Sequence, residues 1–302
     1  MKKLLITFML ILTTIALFSC GKENPVSTNT EDDAAINSLL LVSGYTDTTA
    51  FVNDGTTVPY ASDSYTKTDT FPEFVKFARK ITTVTRTVSI VYNETNTEAV
   101  ATITIDLEGV FYVDNDGDAD IDPYTKPIND QGLRKVWLIK INDNWRISGV
   151  SPLEIVSPDQ AVIIDSVQVL GCINGPITIL PADMTTKRLR ENLPIFAPGA
   201  TATAMVWTHH ISETDSTWPF LHRWIYQPTY RKHIREPFYK EAGYFTRSWD
   251  IVSDSIVVFP AIRHASVDAI SGSCLFGDNT TAYSARIWCL PYIVTTSTDV
   301  IP

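Results

Sequence analysis

The sequence predicts an α+β domain, in which helices accompany an antiparallel sheet, and after it an all-β sandwich. Two observations carry this reading. Apolar residues recur with a helical period as far as residue 81, and with a period of two from Thr83 onward. Beyond Ser151-Pro152 and Ser157-Pro158, nearly every apolar run has strand length and is bounded by turn residues.

The elements follow in order. Thr30 and Asp33 offer a capping signal, Ile36, Leu39 and Leu40 share one helical face, and Gly44 ends that helix. Thr70 and Glu73 form a capping box ahead of Phe74, Phe77, Ala78 and Ile81, spaced i, i+3, i+4 and i+7, which predicts a second amphipathic helix over 70–81. Val84, Val88 and Ile90 then alternate with Thr85, Thr87 and Ser89, residues 93–96 make a turn, and Ala99, Ala101, Ile103, Ile105 and Leu107 alternate with Thr102, Thr104 and Asp106. After a loop, residues 134–141 and 145–150 read as a hairpin around Asn142-Asp143-Asn144. Two helices followed by long antiparallel strands that close on Trp145-Arg146-Ile147 resemble the cystatin/NTF2-like fold. The resemblance covers residues 34–155 and implies a curved sheet wrapped around a helix, with a cone-shaped pocket.

In the remainder, 156–302, strands are expected at 161–170, 201–211, 256–259, 265–275 and 282–289, with turns at Pro198-Gly199 and Gly277-Asp278-Asn279. Residues 187–193 suit a short helix. Several strands joined by loops indicate a β-sandwich that resembles the immunoglobulin fold. The boundary between the halves falls at 155/156, and the stretch 151–159 reads as an exposed linker.

The N-terminus has a different character. Lys2 and Lys3 precede residues 4–18, an apolar run broken only by threonines and too short to cross a bilayer. It ends in Leu17-Phe18-Ser19-Cys20, which resembles the lipobox of bacterial lipoproteins, although Phe18 is bulkier than the residue usual at that place. The resemblance implies that 1–19 is a signal peptide, that Cys20 is acylated, and that 20–33 is a polar tether to a membrane. It also implies a place in the cell envelope. Gly21-Lys22-Glu23 lacks the aspartate read as an inner-membrane sorting signal, which favours the outer membrane.

Loss of Lys2 and Lys3 from 24 basic residues leaves 22 against 34 acidic ones, a net charge of −12. Such a chain is a poor partner for nucleic acid, which demands basic patches. With 44% hydrophobic residues the chain has material for a real core. Cys172, Cys274 and Cys289 would face an oxidising compartment, and their spacing fixes no pairing.

Three groups of residues bear on function. Asp114, Asp116, Asp118 and Asp120 alternate through a turn, an arrangement that can converge on Ca²⁺, the one cofactor the sequence suggests. The spacing is similar to DxDxDG calcium loops but places Ala119 where those loops have glycine. The same run also reads as an ordinary turn with its aspartates in water. All five histidines lie beyond residue 208, and the adjacent His209 and His210 point to opposite faces of any regular strand, so they cannot share a zinc ion. No catalytic residue is assigned: Asp106 alternates with outward threonines, and no phosphate loop, nucleophile elbow or CxxC motif is present.

Between Trp218 and Trp249 aromatic and basic residues interleave, against the acidic character of the rest. Trp224, Tyr226, Tyr230, Arg231 and Arg235 are the candidates there for docking an envelope glycan or protein, the rival reading being a sandwich core with basic stems on its edges. Together these features suggest a non-catalytic binding or assembly role in the envelope, with an enzyme or small-ligand carrier built on the cone pocket as the alternative.

Overall fold

The computed structural model describes residues 30–48, 53–54, 71–118, 120, 122–226, 231–251 and 259–296. Helix α1 (Thr30–Val42) forms where its apolar spacing predicts, and Glu31, Asp32 and Asp33 in its first turn complement the helix dipole. Ile36 and Leu40, one turn apart, are buried. The chain turns at Ser43, and the Thr46 hydroxyl donates to the Leu40 carbonyl at 2.6 Å. No helix among the described residues is long and apolar enough to cross a membrane.

Strand β1 (Asn53–Asp54) pairs with β2 (Lys76–Tyr92), and β2 continues into a meander with β3 (Glu98–Asp114) and β4 (Tyr124–Ile141). The helix expected over 70–81 is therefore replaced by the start of a strand, and Thr70 lies outside the described residues. Phe77, Arg79 and Ile81 all point inward with strand period and are buried. Arg79 sits among apolar side chains and disguises this alternation in the sequence. At Thr82 one extra residue bulges from β2. The β3 residue beside the bulge is Gly109, where a Cβ would run into the Lys80 carbonyl oxygen, so only glycine fits.

The hairpin from β4 to β5 (Asn144–Val150) turns on Asn142 and Asp143, both with positive φ (47° and 62°), the pattern of a two-residue type I′ turn. Strand β6 (Leu153–Val156) follows at once. It pairs with residues 131–133 of β4 on one side and, on the other, with residues 286–289 of the last strand. The expected boundary at 155/156 thus lies inside a strand hydrogen-bonded on both edges. Most of the expected linker is interior too, with Ser151 and Ser157 fully buried, and its exposed residues are Pro158 and Asp159. Residues 36–302 group as one compact unit.

The remaining strands are β7 (Val162–Leu170), β8 (Ile177–Ile179), β9 (Arg188–Leu189), β10 (Ile195–Phe196), β11 (Thr201–His210), β12 (Thr217–Tyr226), β13 (Arg231–Pro237), β14 (Tyr239–Lys240), β15 (Phe245–Asp250), β16 (Ala261–Ser271) and β17 (Ala285–Val294). A short helix, α2 (Gly272–Phe276), takes the end of the strand expected over 265–275. Where 187–193 suggested a helix there is a single 3-10 turn, Arg190–Asn192. Of the strand expected at 256–259, residues 256–258 lie outside the described residues.

Among the described residues these strands form two sheets. The larger runs β1-β2-β3-β4-β6-β17-β16-β12-β13, and the smaller β14-β15-β11-β7-β8. All pairings are antiparallel except β10 with β17. The large sheet curls until its two ends meet across its inner face: Arg235 of β13 donates to the Phe77 carbonyl of β2 at 2.6 Å and lies 3.7 Å from the centre of the Phe77 ring. The small sheet covers the outer face of β12, β16 and β17, so β16 and β17 are buried on both faces. Between the two sheets remains a void of about 40 Å³, lined by apolar groups such as Val167, Leu221, Trp249 and Trp288. A void of that size and lining is a packing defect rather than a ligand site.

Candidate functional site

Strand β4 carries the polar interior of the curled sheet. Its inward residues are Lys126, Ile128, Asp130, Gly132, Arg134, Val136 and Leu138, all buried. Three charged side chains therefore stand four residues apart on an otherwise apolar face, at steps of roughly 13 Å. Each must find partners inside, because an unpaired buried charge is prohibitively costly.

Lys126 donates to the carbonyls of Asp278 and Thr281, both at 2.8 Å, and to the Thr281 hydroxyl, which pins the turn after α2. Its burial lowers its pKa. One step along, Asp130 lies beside a fully enclosed network. Arg79 grips Asp268 with both terminal nitrogens, at 2.9 and 3.2 Å, and donates to the Tyr283 hydroxyl at 2.6 Å. His222 Nε2 stands 3.0 Å from Asp268. Burial alone would raise the Asp268 pKa, but Arg79 and His222 hold it well below the usual carboxylate range. Asp130 has no such grip. Burial pushes its carboxyl up to about 7, against the opposing pull of Arg79 and a hydrogen bond with Tyr283.

At the third step Arg134 donates to the Tyr45 carbonyl at 2.9 Å, and its second terminal nitrogen lies 3.4 Å from the Cys289 carbonyl. Beside it, His264 Nε2 lies 2.7 Å from the Gly44 carbonyl, so that nitrogen carries the ring proton. Burial, and then Arg134, push the His264 pKa down to about 3, which keeps the ring neutral. These two contacts hold the chain just after α1 against the inside of the sheet.

Under that chain lies a cavity of about 240 Å³, bounded by Leu40, Leu41, Ile103, Ile105 and Leu153 on its apolar side. Arg86, Arg134, Asp47, Thr46 and Thr48 supply the polar side. Arg134 is 2% exposed, and its Nε has no hydrogen-bond partner among the described residues. Arg86 is partly buried, with one nitrogen 3.4 Å from the Leu40 carbonyl, and its desolvation lowers its pKa. Two guanidiniums against one carboxylate give the cavity an excess of positive charge inside an acidic protein.

The sequence-derived candidates fare unevenly. Asp114, Asp116 and Asp122 bring their carboxylates together, whereas Asp118 and Asp120 stay outside that group. Instead, Asp118 accepts from the amide of Asp120 at 2.8 Å, as Asp116 does from Asp118 at 3.1 Å. Arg235, expected to read a partner, is 2% exposed and fastens the sheet to itself, so it cannot belong to a docking surface. Trp224 is partly buried, packs against the core and stands edge-on to His233. Tyr226 and Arg231 lie on β12 and β13, with side chains outside the described residues, as are Tyr230 and Cys20. Phe220, Phe238, Phe245 and Trp249 of the same stretch are buried, and Trp218 and Trp224 pack against the core, so these six side chains serve packing.

His209 and His210 turn to different partners, Asp165 at 2.9 Å and Asp215 at 3.5 Å. Asp106 faces outward and accepts from Gln131. Cys172, Cys274 and Cys289 are all free thiols.

No family model, curated protein or solved structure matches this chain. Its site therefore has to be read from its own residues. Sequence reasoning missed Arg86, Asp130 and Arg134. A signal for the last two existed: strict alternation from Ile128 to Leu138 places them on the apolar face, where a charged residue must be serving a buried partner.

The Asp130 environment yields a pH test. Its folded pKa, about 7, stands above the ordinary aspartate value, so the folded state holds a proton that the unfolded chain releases near pH 4. The contribution of this group is full below pH 4 and is lost as pH rises toward and through 7. In Asp130→Asn that loss disappears. Denaturant titrations from pH 4 to 7 should show the variant gaining on the wild type by up to about 1.4 kcal/mol per pH unit. Parallel stability curves would contradict the assignment.

Proposed function

We propose that this chain is an exported, lipid-anchored binding protein of the cell envelope that holds a small amphipathic anion in the cavity beneath α1. The single observation that carries the binding role is the pairing of Arg86 with the buried Arg134, whose Nε lacks a partner among the described residues, on the polar side of a cavity whose other side is apolar. A buried donor without an acceptor costs roughly 1–3 kcal/mol, which a carboxylate would recover while its apolar body covers Ile103, Ile105 and Leu153. A non-catalytic role is the reading we adopt, because the cavity residues Arg86, Arg134 and Asp47 provide charge for holding a ligand but no nucleophile paired with a base. The curl of the large sheet supports the cone-shaped pocket that the cystatin/NTF2-like resemblance implies, and the second sheet supports a sandwich.

Export and anchoring rest on Lys2, Lys3, the apolar run 4–18 and Cys20. Wild-type chain expressed in a bacterium should partition into the detergent phase and incorporate labelled palmitate. Cys20→Ser should do neither, and identical behaviour of the two would exclude the anchor.

For the cavity, octanoate is a fitting probe and inorganic phosphate a control that has the charge but no apolar body. Octanoate should raise the melting temperature in a concentration-dependent way, by linkage to the folded state. Arg86→Gln should reduce the affinity at least about tenfold, the scale of one charge-assisted hydrogen bond. Octanoate binding unaffected by Arg86→Gln would place the ligand elsewhere, and no octanoate binding at millimolar concentration would remove the proposal.

A further inference from the structure

The loop that joins β3 to β4 brings three carboxylates to one point. One ligand oxygen from each of Asp114, Asp116 and Asp122 lies within 4.8 Å of the other two. Oxygens held about 2.4 Å from a common ion can be no more than about 4.8 Å apart, and the group stays within that limit.

Asp114 supplies the second observation. It ends β3, is 7% exposed, and its Oδ2 is buried with no hydrogen-bond partner among the described residues. Its neighbour across the ladder is Lys76, an exposed residue that forms no ion pair with it. A carboxylate with one buried oxygen that lacks a donor among the described residues, gathered with two more carboxylates, is unfavourable unless a cation stands among them. The exposed Asp116 and Asp122 leave one side open to water, which would complete the six to eight oxygens that Ca²⁺ takes. An all-oxygen donor set favours a hard ion over zinc.

We propose that Asp114, Asp116 and Asp122 bind Ca²⁺. The ligand set differs from the alternation in the sequence: Asp122 joins, while Asp118 and Asp120 lie outside the group. The ion would tie the end of β3 to the chain entering β4. Asn115 already couples that point to α2, donating to the carbonyls of Leu275 and Gly277 at 3.0 Å each. A half-open site with three carboxylates belongs to the weak class, with dissociation constants on the order of 10⁻⁴–10⁻³ M.

The test uses the full chain stripped with chelator and titrated calorimetrically with CaCl₂, with MgCl₂ in parallel. Wild type should bind one Ca²⁺ per chain and bind Mg²⁺ more weakly. Asp122→Asn, at an exposed position where folding is not at risk, should weaken Ca²⁺ at least about tenfold, and Asp114→Asn should abolish binding. The Asp118→Asn/Asp120→Asn double variant should bind as the wild type does. No heat in the wild type would overturn the proposal, as would a double variant that loses binding while Asp122→Asn retains it.

Discussion

The ion pair between Arg79 and Asp268 is the contact on which the architecture depends. Arg79 lies on β2, near one end of the large sheet, and Asp268 on β16, near the other. Among the described residues no backbone ladder joins β13 to β1 or β2, and side-chain contacts link the two ends across the curl. A bidentate guanidinium–carboxylate pair suits that task because it fixes orientation as well as distance. Both partners are essentially without solvent contact, at 1% and 0% exposure. A pair so deeply buried contributes little net stability compared with apolar residues, but loss of either partner would strand the other charge. Its value lies in specifying how the sheet closes.

The rest of the interior is arranged along the same face. Lys126 fastens the turn after α2, Asp130 borders the ion pair, and Arg134 fastens the chain after α1. Each steers a loop into the curl by donating to its carbonyls or by joining a closed network. The two candidate sites occupy separate regions of this frame. The cavity lies by Ile103 and Ile105 on β3, while the carboxylates gather at the end of that strand, nine residues or roughly 30 Å further on.

Much of the local structure was legible in the residues. The face made by Ile36 and Leu40, the alternation from Ala99 to Leu107, and the turn at Asn142-Asp143 are set by neighbours in sequence, and all are found. The failures share one cause, partners distant along the chain. Arg79 breaks the apolar alternation of β2 unless Asp268, 189 residues later, is known to receive it. Ser151-Pro152 and Ser157-Pro158 look like linker punctuation. Yet Ser151 accepts from the Lys135 amide and Ser157 from the Ala285 amide, each at 2.9 Å, standing in for ladder bonds. Arg235 likewise passed for a surface residue because its acceptor, Phe77, is 158 residues away. The carboxylate group was half visible, since alternation identified Asp114 and Asp116 but not which later aspartate the loop would return.

The most direct measurement is a double-mutant cycle on the closing pair, using Arg79→Met, Asp268→Asn and their combination, each followed by denaturant unfolding. Each single change strands a buried partner and should cost about 3–5 kcal/mol. The double variant strands neither, so its loss should fall well short of the sum of the two. Losses that simply add would mean that Arg79 and Asp268 act independently, and that something other than this pair holds the sheet closed.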